Sequence, residues 1–247
     1  MVCSVSLLEK PELREPVLLE GLPGIGLVAN IAVAYLLRKL DAKPFGEIRS
    51  SAFQNVAITD GKGSISAPTN SLYYYRGQEG ERDIIFLYGN TQALTSHGQY
   101  ELCGCILDLA ESLGSRTIIT LGGYRPNREV TAPRLYYAAS NPEAAKTAAD
   151  LGAEVLGGQI FGVAGLLVGL SRLRGLKSFC LLAETPGSYP DKEAARAVLK
   201  PIAGILGLKL DLADVTEAIE TASVLAPFDF GALSEKPKKE TKPGWFI

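Results

Sequence analysis

Short runs of β-forming residues alternate with longer runs of helical periodicity along most of this chain. Asp83–Tyr88 (D-I-I-F-L-Y) and Thr117–Leu121 (T-I-I-T-L) are apolar runs of strand length, and a helical pattern from about Ser96 to Leu113 separates them. Strands that alternate with helices favour a largely parallel sheet with helices on its faces. The sequence therefore predicts an α/β fold.

One region departs from this alternation. Between Val56 and Tyr75 the runs are short, and the dipeptide Asp60-Gly61 and Pro68 interrupt them. Asp-Gly between alternating residues is a strong hairpin signal. This region should form antiparallel strands, so the sheet is expected to be mixed.

Composition limits the possible functions of the chain. With 247 residues, of which 47% are hydrophobic, it can bury a full core in one domain, expected at 1–230. A net charge of −2 gives no electrostatic footprint for nucleic acid. The apolar runs contain glycine and are too short to span a membrane, and the start lacks the pattern of a secretion signal. The four cysteines have neither zinc-site nor disulfide-scaffold spacing, which favours a reducing cytoplasm.

A glycine-rich turn joins the first predicted interior strand, Pro16–Glu20, to a helix that should end near Leu40. Its glycines are Gly21, Gly24 and Gly26. Backbone N–H groups at a helix start favour anions, so this turn is a candidate ligand or anion site. Its spacing matches neither a dinucleotide fingerprint nor a phosphate loop, and tight turning or close packing explains the glycines equally well.

Polar residues follow several predicted strands, at the edge where open α/β sheets bind ligands. They are Asn90-Thr91-Gln92, Tyr124-Arg125 and Glu184-Thr185. Catalysis requires a nucleophile with a base, an acid pair or a metal. The single histidine, His97, lies at a predicted helix start with Ser96, where capping is at least as good an explanation. We therefore expect no catalytic residues, no metal site and no cofactor.

Two further patterns are interpreted as packing. Cys103 and Cys105 are two positions apart on a helix, so they point to different faces and are taken as small core residues. Gly162, Gly165 and Gly169 are three and four positions apart, on one stripe of a helix that should open at Gly157-Gly158. This stripe is expected to serve core or subunit packing.

The last residues, 231–247, should be a flexible tail. Ser234–Gly244 has no apolar residue to bury and contains two prolines, so it should remain solvated coil. The chain then ends in Trp245-Phe246-Ile247, which contains its only tryptophan. An apolar tip on a polar stalk favours docking into a partner protein. Folding back onto its own domain or onto a sister subunit is the alternative.

Several segments in this order resemble the PAC2 family, the proteasome assembly chaperone group, in its archaeal-type form. They are E-G-L-P-G-I-G-L-V-A-N-I-A from Glu20, I-T-L-G-G-Y-R-P from Ile119, the Asn141-Pro142-Glu143 helix start, G-G-Q-I-F-G-V-A-G-L-L from Gly157, and L-L-A-E-T-P-G-S-Y-P-D from Leu181. The resemblance implies a three-layer α/β/α fold with a nucleoside-phosphorylase-like core, homo-oligomers, and binding to the 20S proteasome core particle.

The resemblance also gives the tail a meaning. Proteasome partners of this kind end in hydrophobic-tyrosine-any residue, which inserts between α-ring subunits. Here Trp245 matches the hydrophobic position, Phe246 replaces the tyrosine, and Ile247 supplies the carboxylate. The expected function is thus a non-enzymatic assembly chaperone or an ATP-independent adaptor or activator. Two alternatives remain: a protein or enzyme that binds nucleotide-like or phosphorylated small molecules, and a structural oligomer with swapped tails.

Overall fold

The computed structural model describes residues 3–59, 63–187 and 190–212, together with residues 215 and 218. These residues form one large sheet, a short two-stranded sheet and the helices that cover the large sheet. The strands are β1 (Cys3–Leu7), β2 (Val17–Gly21), β3 (Lys43–Ser50), β4 (Ile58–Thr59), β5 (Ile65–Ser66), β6 (Asn70–Tyr75), β7 (Ile84–Gly89), β8 (Thr117–Tyr124), β9 (Leu135–Ala139), β10 (Glu154–Val155) and β11 (Lys177–Glu184).

The large sheet has the strand order β1-β3-β6-β7-β2-β8-β11-β9-β10 in the described part of the chain. Its centre is parallel: β2 pairs in parallel with β7 and β8, and β8 pairs in parallel with β11. The β1, β3 and β6 side is antiparallel, and β9 runs antiparallel to β11. The predicted α/β class with a mixed, mostly parallel sheet is confirmed.

Five helices cover this sheet within the described residues. They are α1 (Val28–Lys39), α2 (Ser96–Ser112), α3 (Pro142–Asp150), α4 (Val163–Leu173) and α5 (Lys192–Ile205), and a 3-10 turn (Ile25–Leu27) precedes α1. The helices α1 and α5 pack together on one face of the sheet, and α2 and α4 pack together on the other. Two separate hydrophobic clusters fill the spaces between the sheet and these helix pairs. The expected three-layer arrangement is confirmed.

Alternate residues of β2 explain this layering. Val17 and Leu19 face the cluster under α1 and α5, whereas Leu18 faces the cluster under α2 and α4. All five residues of the strand are buried, because helices cover both faces of a central parallel strand. Glu20, two positions after Leu18, faces the α2 and α4 side. A carboxyl group is thereby carried into the core.

Two sequence-based helix predictions were wrong in detail. Helix α4 begins at Val163 rather than at Gly157-Gly158, because a loop that follows β10 occupies residues 156–162. The sequence predicts that the helix from Asp191 to Leu206 is strained or broken near Lys200-Pro201, but helix α5 continues through Pro201. The neighbouring Val198 and Ile202 are fully buried, and their packing against the core keeps the helix intact despite the lost N–H donor.

The helix-start signal of α3 behaves as the sequence predicts, whereas the cap of α2 is a different residue from the one expected. The Asn141 side chain accepts a hydrogen bond from the Ala144 N–H at 2.8 Å and caps α3, with Pro142 at the first helical position. At α2 the cap is Thr95, whose hydroxyl accepts from the Gly98 N–H at 3.1 Å. His97 is exposed there and does not cap the helix.

The antiparallel region is confirmed on both sides of its predicted turn. Ile58 and Thr59 pair with Ser66 and Ile65, while Asp60-Gly61 lies outside the described residues. The sequence pattern also predicts a last helix from Asp211 to Ser223, which falls largely outside the described residues, as does the domain boundary near residue 230. In the described part of the chain, no helix combines the length and the apolar character needed to cross a membrane.

Candidate functional site

The candidate site lies at the carboxyl ends of β2 and β8, two neighbouring parallel strands. After β2 the chain passes through α1 to β3 on one side of the sheet, and after β8 it continues to β9 on the other side. Chain segments that leave adjacent parallel strands in opposite directions open a crevice at the sheet edge. The glycine-rich turn after β2 forms one wall of this crevice.

The glycines of this turn are explained by close approaches. A Cβ at Gly21 would lie 2.4 Å from the Cβ of Val33, so glycine lets α1 pack directly on the end of β2. Gly26 has a φ of +67° and its Cβ would lie 2.8 Å from the hydroxyl oxygen of Thr185. At Gly24 the backbone is extended and the space around a Cβ is open. Packing thus accounts for two of the three, and anion binding at the turn stays a prediction.

Gln92, in the loop after β7, joins three segments around the crevice. Its amide Nε2 donates to the carbonyl of Pro23 at 2.7 Å, and its Oε1 accepts from the N–H of Val163 at 2.9 Å. The first bond holds the glycine-rich turn, and the second satisfies a free N–H at the start of α4. The amide of Gln99 also reaches this Oε1, at 3.4 Å. Gln92 therefore has a structural role at the rim.

These elements line a half-open cavity of about 180 Å³. Its walls come from the turn after β2, the loop after β7, the start of α2, the end of β8 and the loop before α4. The residues are Glu20, Leu22, Gly24, Ile25, Ala29, Gln92, Ala93, Leu94, Gln99, Leu121, Gly122, Gly123, Tyr124, Leu156, Gln159, Ile160, Phe161, Gly162, Ala164 and Leu182. The lining is mainly apolar and contains neither lysine nor arginine.

Glu20 is the acidic group of this cavity, and only 1% of its surface is exposed. Its Oε1 accepts a hydrogen bond from the N–H of Leu22 at 2.7 Å, whereas its Oε2 makes no hydrogen bond of good geometry with any residue that the structure describes. Burial in apolar surroundings raises the pKa of Glu20 to about 8, although backbone N–H groups of Leu22 and Leu121 favour the charged form. At neutral pH this side chain is therefore mostly an uncharged carboxylic acid.

A second buried carboxyl group, Glu184, lies at the end of β11 in quite different surroundings. The guanidinium of Arg128 donates to both of its oxygens. The Tyr136 hydroxyl donates at 3.0 Å and the Arg134 N–H at 3.3 Å. Burial alone would raise the pKa of Glu184, but the hydrogen bonds from Arg128 and Tyr136 outweigh it and hold the pKa below its ordinary value.

The structure separates the polar strand-end residues that the sequence grouped together. Gln92 and Tyr124 line the cavity. Asn90 instead accepts from the N–H of Thr69 at 3.0 Å, and Thr185 donates to Asp191 at 2.6 Å, so both tie loops to the body. Glu184 belongs to its arginine cluster. The tip residues Trp245, Phe246 and Ile247 lie outside the described residues.

Sequence analysis missed Glu20 and Gln99 as cavity residues. A charged residue inside the buried run V-L-L-E-G is the signal that could have indicated Glu20, because an acidic side chain in a central strand is rarely buried without a partner. Gln99 carries no such signal. Within the described ranges, no cluster of histidine, cysteine and acidic residues could hold a metal ion.

Solved structures with the same fold come from the archaeon Pyrococcus furiosus. PbaB, described as an archaeal proteasome activator, superposes with a TM-score of 0.82 at 34% identity, covering 91% of this chain and 97% of the other. PbaA, described as an archaeal homolog of proteasome-assembly chaperone, gives a TM-score of 0.71 at 27% identity, covering 88% and 92%. The chain thus aligns with nearly the whole of both proteins.

The sequence comparisons agree with the structural ones. An uncharacterized protein of Methanocaldococcus jannaschii, MJ1210, is 31% identical over 205 residues, which are 82% of this chain and 78% of that protein. The profile of the PAC2 family matches residues 18–224, and this range includes the strands and helices that line the cavity. The chain therefore belongs to the PAC2 family.

Proposed function

We propose that this protein is a non-enzymatic partner of the proteasome core particle that docks on its α-ring through Trp245-Phe246-Ile247. The observation that carries the proposal is the likeness to PbaB, an archaeal proteasome activator, over 91% of this chain and 97% of that one. Family membership supports a proteasome-related role. The tip supplies a specific means of contact, because two aromatic rings and a carboxylate end a polar stalk.

An activator or adaptor is favoured over an assembly chaperone. The likeness to the activator PbaB is 34% identity with a TM-score of 0.82. The likeness to PbaA, the homolog of proteasome-assembly chaperone, is lower, at 27% and 0.71. Phe246 lacks the tyrosine hydroxyl, so docking by this tip depends on ring burial and on the carboxylate of Ile247. Gate opening that needs the hydroxyl is then weak or absent.

We propose further that the protein acts as a homo-oligomer. Phe161 is 78% exposed and Leu173 81% exposed, at the two ends of α4, and no atom comes within 4 Å of a Cβ built at Gly169 between them. Of the three glycines in the stripe, Gly169 is thus the one with open space around it. The Cβ of Gly165, in contrast, would meet Ile160 of its own loop at 2.6 Å. Subunit packing against the open part of α4 would cover both large apolar side chains.

Oligomerisation matters for affinity. A single tip should bind weakly, because ordering a flexible tail opposes the gain from burying its rings. When several tips belong to one oligomer, the later ones bind at an effective concentration up to about millimolar, and avidity rises by about 10²–10⁴. The stalk reaches roughly 5–6 Å times the square root of its number of residues.

The test compares core-particle capture by three forms of the protein: the full chain, a chain ending at Gly244, and the full chain extended by one alanine after Ile247. The full chain should capture the core particle strongly. Capture should be largely lost for the chain ending at Gly244, which lacks the tip, and for the extended chain, in which the added alanine displaces the carboxylate. Light scattering on all three forms is the control that the oligomer is intact. Equal capture by all three would rule out the tip as the anchor and favour the swapped-tail alternative.

A second measurement addresses the missing hydroxyl. Phe246→Tyr should bind as the parent does and increase peptide hydrolysis by the core particle if the hydroxyl contributes to gate opening. Unchanged hydrolysis with unchanged capture would make the protein an adaptor rather than an activator. The non-enzymatic assignment is checked separately with nucleoside and phosphate and with ATP, using Glu184→Gln and Asn90→Ala as controls for any turnover found.

A further inference from the structure

The cavity at the ends of β2 and β8 is a half-open recess with apolar walls. Leu22, Leu121 and Leu182 are buried residues of its lining, and Leu94 in the same lining is 55% exposed. Its volume of about 180 Å³ exceeds that of the roughly 150 Å³ apolar cavity that holds benzene in an engineered protein. One aromatic side chain therefore fits inside it.

The polar groups of the lining favour a tryptophan over a charged ligand. The lining contains neither lysine nor arginine, so a carboxylate or phosphate inside it would have no counter-charge. An indole ring needs apolar walls and one acceptor for its N–H group. Gln159, an exposed residue of the lining, carries an amide oxygen that can serve as this acceptor.

The chain itself carries one indole ring. Trp245 is the only tryptophan, and it lies two positions before Ile247. Two extended residues span about 7 Å, so the ring can enter the cavity while the carboxylate of Ile247 stays in water. The missing counter-charge in the lining is then no obstacle.

After α5 the described chain turns back toward the sheet edge that carries the cavity. The end of α5 lies beside the start of β7, at the opposite edge. The start of α5 lies at the glycine-rich turn, where the N–H of Asp191 donates to the carbonyl of Gly26 at 3.0 Å. Leu212 is back beside the second turn of this helix, since the Nε of Arg196 donates to its carbonyl at 3.0 Å.

The remaining chain is long enough to reach the cavity of its own domain. Ala218 is buried in the cluster under α1 and α5, and it lies 27 positions before Trp245. The part that the sequence predicts to be flexible, from residue 231 to Trp245, spans about 20 Å as a coil. This span exceeds the radius of gyration of about 17 Å for a domain of this size.

We propose that this cavity binds the indole ring of Trp245 from the same chain. Phe246 and the carboxylate of Ile247 remain outside. While the ring is bound, the tip is withheld from the α-ring, and this consequence rests on the proposed function. Capture of the ring is measured without the core particle, and the withholding of the tip is measured with it.

Fluorescence of the full-length protein tests the capture directly, because its tryptophan emission comes from Trp245 alone. A synthetic peptide of Ser234–Ile247 is the reference for an exposed ring. At an effective concentration of about 1 mM and a Kd of about 0.1–1 mM, between about half and nine-tenths of the rings are bound. The protein should therefore emit at shorter wavelength than the peptide, and acrylamide should quench it at least about twofold less.

Gly24→Leu is the blocking variant, since Gly24 lines the cavity and a Cβ there meets open space. It should give the emission and the quenching of the peptide. Gly204→Leu is the matched control, because a Cβ at Gly204 also meets open space, but on the exposed surface of α5 and outside the lining. Thermal unfolding of both variants checks that the fold is kept.

A second pair of variants tests the mouth of the cavity without filling it. Leu94→Ser removes apolar surface from the lining and should reduce the protection of the ring from acrylamide. Leu8→Ser removes a leucine that is 80% exposed and lies outside the lining, so it should leave the protection unchanged.

Binding to the core particle tests the withholding of the tip. If about half to nine-tenths of the rings are held, Gly24→Leu should bind the core particle about two- to tenfold more tightly than wild type. The chain extended by one alanine after Ile247 should keep a protected ring, since the carboxylate lies outside the cavity, and yet lose the core particle. If none of the forms binds the core particle, the proposed function fails and a protected ring still supports the capture.

The capture is overturned if acrylamide quenches Trp245 in the protein as strongly as in the peptide. It is also overturned if Gly24→Leu keeps the protection of the wild type, since the ring would then be buried on another surface. Protection that disappears on dilution together with the oligomer would assign the ring to the cavity of a sister subunit, against capture within the same chain.

Discussion

Glu20 and Glu184 are two buried carboxyl groups at the same edge of one sheet, yet their surroundings set them to opposite protonation states. Glu20 has one short hydrogen bond, to the N–H of Leu22, and no cationic neighbour lines its cavity. Glu184 receives hydrogen bonds from Arg128, Tyr136 and Arg134. The pKa of the first is raised to about 8 and that of the second is lowered.

Burial alone therefore does not determine the protonation state of an acidic side chain. Desolvation raises the pKa of both groups, and the result depends on whether a positive charge and enough donors compensate. Glu184 anchors the loop before β9 to the sheet as a carboxylate. Glu20 remains an uncharged acid in the core. The predictions below test this contrast.

The largest effect should be on the pH dependence of stability. The pKa of Glu20 is 4.5 for the model compound and about 8 in the folded protein, so between these values the folded state binds a proton that the unfolded state does not. Stability should therefore fall with rising pH in this window, by roughly 1 kcal/mol per pH unit, and level off above about pH 8. Glu20→Gln should remove this slope.

Urea unfolding at several pH values between 5 and 9 measures this pH dependence of the free energy of unfolding. The difference in unfolding free energy between wild type and Glu20→Gln should shift steadily with pH in favour of the variant. Glu184→Gln is the control, since its native carboxyl group is already ionised in this window. Parallel profiles for wild type and Glu20→Gln would show that Glu20 is charged at neutral pH, against the contrast drawn here.

The next effect concerns the ion cluster. Glu184→Gln leaves the N–H groups of Arg128 and Arg134 facing an amide that cannot satisfy them all, and should lower the free energy of unfolding at pH 7 by about 2–3 kcal/mol. Because the pKa of Glu184 is lowered, its stabilisation is present above the unfolded value and is lost as the pH falls through the folded one. The deficit of the variant should shrink in acid.

Glu154→Gln is the matched control, because Glu154 also approaches Arg134, at 3.8 Å, but both side chains are more than half exposed. Its effect in the same urea titration should stay below about 0.5 kcal/mol. Similar losses for the two variants would mean that Glu184 contributes no more than a surface ion pair.

A smaller effect on stability is expected from substitutions in the glycine-rich turn that follows Glu20. Gly21→Ala adds a Cβ at 2.4 Å from Val33 and should lower stability by about 1–2 kcal/mol through overpacking. Gly24→Ala, three residues along the same turn, adds a Cβ to open space and should be nearly neutral. Thermal unfolding of both variants distinguishes them, and an equal loss would indicate that the turn itself requires glycine.

The smallest effect concerns the cysteines, whose surroundings also set their pKa values in opposite directions. It should change only the rates at which their thiol groups are alkylated. Burial raises the pKa of Cys103 and Cys180 to about 12, whereas a hydrogen bond with Cys3 lowers the pKa of Cys105. Iodoacetamide at pH 8 should therefore modify Cys105 before Cys103 and Cys180, as mapped by mass spectrometry. Faster modification of Cys103 would contradict a partner effect of Cys3.

Prediction from sequence succeeded where the signal is local. The apolar runs located β2, β7 and β8, and Asn141 located the start of α3, because hydrophobic periodicity and capping act over a few residues. Prediction from sequence failed where a contact between residues distant in the chain determines the local structure. Pro201 lies inside α5 because buried neighbours hold the helix, and Cys105 is half-buried beside Cys3 of another element instead of lying in the core.

The candidate site shows the same division. The sequence indicated the glycine-rich turn and Gln92, since both follow strands at the edge where ligands bind. It could not show that Gln99 and Glu20, 79 positions apart along the chain, line one cavity, or that Asn90 and Glu184 belong to other clusters. Side chains that share a cavity are brought together by the order of strands in the sheet.

The fold class, the family and the composition of the tail follow from the chain alone, because periodicity, glycine placement and motif order are local properties of the sequence. Only the tertiary structure decided which of two buried carboxyl groups meets an arginine and which remains uncharged. The physical reason is that the free energy of a buried charge depends on its nearest neighbours in space. Those neighbours come from strands and loops that are distant in the sequence.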